Sequence, residues 1–108
     1  MKNKVIRDEK VAVVYAPGWG AGWSTWNGIS GDEMEHFMLF DPTLVEMVLH
    51  NENERIPQYV ESVYPDAYTG AADQLCVKWI PEGSLFRVTE YDGFESVEIR
   101  ENIEWKAA

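Results

Sequence analysis

Cysteine, histidine and cations are all scarce in this chain, and each shortage removes a class of function. Its one cysteine, Cys76, excludes an intramolecular disulfide and any zinc site built on paired cysteines. A reducing compartment is the expected setting. The two histidines, His36 and His50, leave little acid–base inventory, and Ser24 has no neighbouring base in sequence. Cys76 sits in an apolar segment, where packing is its expected role. A small hydrolase therefore ranks last among the functions weighed. Nine Lys and Arg residues against nineteen Asp and Glu give a formal charge of −10. That balance opposes direct nucleic-acid binding, whose affinity comes from clustered cations. No apolar run approaches the roughly 20 residues needed to cross a bilayer. Lys2 and Lys4 resemble the start of a signal peptide, but Arg7, Asp8, Glu9 and Lys10 interrupt its required apolar core. A soluble cytoplasmic protein with no membrane contact is expected.

What is present suffices for a core. Hydrophobic residues make up 45% and aromatics 13% of 108 positions, which fits one α+β domain over 1–108, with 1–9 as a flexible leader. Val11 to Tyr15 is a β-branched run that predicts a buried N-terminal strand ending at Pro17. Residues 28–34 are turn-rich, and Glu35 to Phe40 shows no assignable period. Asp41 as cap, Pro42 in the first turn and the stripe Leu44, Val45, Val48, Leu49 predict a helix from Pro42 to His50. A second short helix starts near Pro57 and ends near Pro65, with Ile56, Val60 and Val63 as its buried stripe. A loop follows over Asp66–Asp73, then a strand from Gln74 to Ile80.

The C-terminal third reads as a three-stranded antiparallel meander, with turns at Pro81-Glu82-Gly83 and at Asp92-Gly93. A two-residue Asp92-Gly93 turn pairs Tyr91 with Phe94 and runs back to Phe86 with Ile99. Phe86, Val88, Val97 and Ile99 then face the core, while Arg87, Thr89, Tyr91, Phe94, Ser96 and Glu98 face outward. Glu90 and Glu95 become neighbours on the core face. A wet hairpin tip overhanging the core is the expected resolution. Trp105 is expected to pack down the tail.

The densest signal is residues 16–27, which hold three of the five tryptophans and three of the eight glycines. Gly18-x-Gly20-x-Gly22 follows a strand, as a dinucleotide fingerprint would, but Thr25 stands where the third glycine belongs and no convincing helix follows. Two readings stay open. Trp19, Trp23 and Trp26 either pack inward as a small core, or present indoles that stack on a flat ligand or partner. In the second case backbone N–H groups at Gly20 and Gly22, with Ser24, Thr25 or Asn27, would grip the ligand's polar edge. Arg87 either pairs with Glu98 across the hairpin or grips an anionic ligand, and Tyr91 is its aromatic companion. Asp32, Glu33, Glu35 and His36 form an acidic patch best read as a solvated turn, and neither metal nor cofactor is expected.

The loop GWGAGWSTWN, the Phe40-Asp41-Pro42 helix start, and Glu90-Tyr91-Asp92-Gly93 followed by Glu95 and Ser96 resemble a family of small proteins encoded by tailed phages and prophages. The resemblance spans roughly Val11 to Trp105 and carries no catalytic residues. It implies an accessory protein acting in the cytoplasm of an infected bacterium. The first expectation is a non-enzymatic protein that binds or sequesters a small flat ligand, such as a nucleotide-like host defence signal. The alternative is an acidic inhibitor of a basic host protein, of which a nucleic-acid mimic is one form. Exposed aromatics would also suit a homo-oligomer.

Overall fold

The computed structural model describes residues 4–20, 22–27 and 31–100. Two short strands open it. β1 (Ile6–Arg7) and β2 (Lys10–Tyr15) are joined through Asp8 and Glu9, both at positive φ (51° and 64°), the pairing that a tight two-residue hairpin requires. β1 lies inside the segment expected as a leader. Val11 to Val14 are buried without interruption, so β2 has apolar cover on both faces and needs a strand at each edge for its backbone groups. β1 supplies one edge. β3 (Cys76–Pro81) supplies the other, antiparallel, from Lys10↔Pro81 to Tyr15↔Cys76.

That pairing corrects the predicted meander. β4 (Phe86–Tyr91) and β5 (Phe94–Ile99) form their own two-stranded sheet, and the chain turns at Gly83 without folding β4 back onto β3. The hairpin itself has the predicted register, Tyr91↔Phe94 through Phe86↔Ile99. Asp92 and Gly93 both take positive φ (52° and 86°), so the local turn residues alone fix the pairing.

Among the described residues four α-helical segments stand where two were expected, with single 3-10 turns at Asn53–Arg55 and Ala72–Gln74. α1 (Ser24–Asn27) is a single turn, and α2 (Asp32–Phe40) occupies the stretch without a clear period. Its apolar residues serve two cores: Met34 and Met38 join one cluster, Leu39 and Phe40 the other. α3 (Pro42–Leu49) begins as predicted, with the Leu44 N–H donating to Asp41 Oδ2 at 3.1 Å. Asp41 Oδ2 also accepts from the Tyr59 hydroxyl at 2.6 Å. Burial, then the Asp41 carboxylate beside it, pushes the Tyr59 phenol up to about 12. α4 (Ile56–Val63) buries Ile56 and Val60, but Val63 is exposed, contrary to the expected stripe. Cys76 is likewise exposed at the start of an edge strand, where packing was expected.

The β1–β2–β3 sheet is the middle layer. Ala12, Val14 and Ala16 pack with Leu44, Val45, Val48, Ile56 and Val60 of α3 and α4. Val11, Val13 and Ile80 pack with Val97 and Ile99 of the hairpin and with the end of α2. No described helix is long and apolar enough to cross a membrane. The expected packing of Trp105, and the turn residues 28–30, lie outside the described residues.

Candidate functional site

The 16–27 loop is shaped by one side chain from the far end of the chain. Glu95, the second residue of β5, points inward as its register requires and is completely buried. Its Oε1 accepts the Ala16 N–H at 3.0 Å. Its Oε2 accepts the Trp23 N–H at 2.8 Å, the Thr25 N–H at 3.1 Å and the Thr25 hydroxyl at 2.5 Å. The carboxylate thus caps α1, whose first N–H groups have no partner within the helix. The backbone adds two ties, Glu95 N–H to Ala16 C=O at 2.9 Å and Gly20 N–H to Asp92 C=O at 2.8 Å. Both hairpin glutamates were expected to be wet. The exposed Glu90 accepts the Gly93 N–H at 2.7 Å and steadies the turn, whereas Glu95 is sealed because the loop's own donors replace water around it.

With the loop pinned, its three indoles part company. Trp23 is fully buried in the helix-side core, and its Nε1–H donates to the Met38 carbonyl at 2.9 Å. Trp26 lies at the surface against Tyr68, ring centroids 5.2 Å apart. Asn27 is buried below it and clamps the Tyr68 backbone, donating through Nδ2 to its carbonyl at 3.0 Å and accepting its N–H at 2.9 Å. Gly22 is buried where a Cβ would overlap the Trp26 ring. Trp19 is 61% exposed and meets two hairpin rings. Tyr91, 74% exposed, makes a T-shaped pair with it at 5.8 Å and 86°, and half-buried Phe94 packs tilted against it at 5.0 Å and 43°.

The ten residues singled out from sequence therefore fall into separate groups. Trp19, Gly20 and Tyr91 make an exposed aromatic corner, with Gly20 at φ 91° holding the chain against the hairpin turn. Ser24, Thr25 and Arg87 line a cleft of about 300 Å³ with Glu35, Leu39, Phe86 and Val88. Trp23, Gly22 and Asn27 are framework, and Trp26 belongs to the Tyr68 pair. The polar grip proposed for a ligand is largely spent inside the protein: the Thr25 hydroxyl and the Trp23 and Thr25 N–H groups serve Glu95, and Asn27 serves Tyr68. Arg87 pairs with Glu98 at 2.9 Å on the exposed hairpin face.

Glu95, Phe94 and Tyr68, and the cleft residues Glu35, Leu39, Phe86 and Val88, are the contributors that sequence reasoning left out of the site. For Glu95 the signal was present, since the hairpin register places it beside Val97 on the core face. Among the described residues no group of three or more His, Cys, Asp or Glu side chains is arranged to hold a metal ion. Chemically, the corner offers flat stacking area, and the cleft offers an apolar floor with a hydroxyl, a carboxylate and a guanidinium around it. Comparison with known proteins adds no analogy to this geometry: no protein-family model matches the chain, and neither a curated protein nor a solved structure is similar to it.

Proposed function

We propose that the chain is a non-enzymatic accessory protein that binds and blocks a basic partner protein through the corner formed by Trp19, Tyr91 and Phe94. The observation that carries this reading is the exposure of Trp19 and Tyr91 on a frame already ordered by Glu95 and by the Gly20–Asp92 hydrogen bond. Large rigid aromatic rings held in place lose little entropy on binding and are the usual anchors of protein contacts. The formal charge of −10 supports a basic partner. The resemblance to phage and prophage proteins supports a bacterial host component as the target and the host cytoplasm as the place of action.

Immobilised protein exposed to bacterial lysate at low salt should retain one stoichiometric basic protein, and the Trp19→Ala, Tyr91→Ala double variant should lose it while remaining folded. Absence of any stoichiometric partner would refute the proposal. A partner retained equally by the variant would move the contact elsewhere.

The second reading is sequestration of a small flat ligand, such as a nucleotide-like signal, and the cleft beside Ser24, Thr25 and Arg87 favours it. Calorimetry against nucleotides and cyclic nucleotides would separate the two. Saturable heat abolished by Arg87→Ala supports the cleft, and no heat across the panel removes it. Light scattering tests a third use of the same exposed rings, pairing between two copies of this chain.

A further inference from the structure

We infer that the corner between the Trp19 and Tyr91 rings seats the guanidinium of an arginine presented by the basic partner, an inference that rests on the proposed reading of this corner as the contact surface. The first ground is geometric. Two rings at 86° with centroids 5.8 Å apart form an L-shaped wall, and Phe94 packs against Trp19 at 5.0 Å. The face of an aromatic ring is its electron-rich side, so a cation placed in such an angle meets negative potential from the surrounding π-systems.

The second ground is the local charge. Tyr91 is followed in the turn by Asp92, and Glu90, on the opposite face of β4, keeps its carboxylate at the same turn through the Gly93 N–H. Arg87 lies four residues back along β4, about 13 Å at the rise of an extended strand, and is already paired with Glu98. Among the described residues the cation–π contacts are those of Lys4 with Phe40, at 4.6 Å, and Arg7 with Trp79, at 5.6 Å. Neither falls on the corner, whose rings are uncommitted to any cation of the described chain. The third ground is the shape of the guest. A guanidinium is planar, weakly hydrated and rich in donors, so it can lie flat on an indole while offering N–H groups to the turn carboxylates. An ammonium is compact, strongly hydrated and gains less.

The test uses the full chain, its tryptophan indole N–H resonances, and three basic pentapeptides that differ only at the central residue between two lysines: arginine, lysine or citrulline. At about 150 mM salt, where diffuse attraction to an acidic surface is screened, the arginine peptide should shift the Trp19 indole signal saturably and leave that of buried Trp23 in place. The lysine peptide, equal in charge, should bind about fivefold more weakly. The citrulline peptide, equal in shape, should bind about tenfold more weakly. Trp19→Phe should retain part of the arginine preference and Trp19→Ala none, with the Trp23 signal certifying that each variant is folded.

Equal binding of the arginine and lysine peptides without a Trp19 shift would overturn the inference in favour of diffuse charge attraction. Equal Trp19 shifts from the arginine and citrulline peptides would overturn it while leaving the corner as a contact surface for flat groups. No Trp19 shift from any peptide would overturn the inference and count against the contact surface as well.

Discussion

A carboxylate with no solvent access and four donors around it is a tie rod, and Glu95 shows how much one side chain can organise. Glu95→Gln keeps the shape but turns one acceptor into an NH2 group facing N–H donors. The expected loss is about 2–4 kcal/mol, because each orphaned buried donor costs about 1–3 kcal/mol. Urea unfolding measures it, and the Trp19 resonance should broaden in the variant as the loop loosens. The three indoles separate in the same assay. Trp23→Ala should cost about 3–5 kcal/mol through its cavity and its lost bond to Met38. Trp19→Ala should cost under about 1.5 kcal/mol, the scale of a surface ring pair. At this scale the sequence was only half legible. That tryptophans and glycines mark a special loop was plain, but which ring turns inward depends on Glu95 and Met38, and no local pattern encodes partners that distant.

At the scale of elements, legibility followed locality. The β4–β5 register could be read because Asp92-Gly93 favours positive φ at both turn positions. The α3 start could be read because Asp41 caps three residues downstream. α2 was obscure because its apolar residues divide between two cores and leave no single stripe. The partner of β3 was misassigned because pairing with β2 spans the whole helical region, where only burial decides. The Asp41–Tyr59 link between α3 and α4 makes a pH prediction. The Tyr59 phenol sits at about 12 against an ordinary 10.0, so its protonated form is favoured by folding. The stability this gives is fully present below pH 10 and drains away as pH rises toward 12. A Tyr59→Phe variant should be less stable than the parent at pH 8 but show a shallower decline from pH 10 to 12, followed by chemical denaturation. Gly93→Ala should cost about 1–2 kcal/mol through its positive φ of 86°.

For the whole molecule, the charge of −10 acts on every surface at once. Self-repulsion among the acids should ease with added salt, so the melting temperature should rise by a few degrees between about 20 and 200 mM sodium chloride. The exposed Arg7–Glu46 and Arg87–Glu98 pairs contribute too little to reverse that trend. A melting temperature that falls with salt would show that specific ion pairs outweigh the global field.

The tie between Trp23 and Glu95 joins positions 72 residues apart, and that separation has a consequence in time. During synthesis the tryptophan loop is made before the strand that gives it shape. Until β5 emerges and docks, the Trp19 surface has no fixed form and no Tyr91 beside it. The loop therefore acquires its shape only after β5 has been made and docked, and a product truncated before β5 would lack both the Glu95 tie and the Trp19–Tyr91 contact.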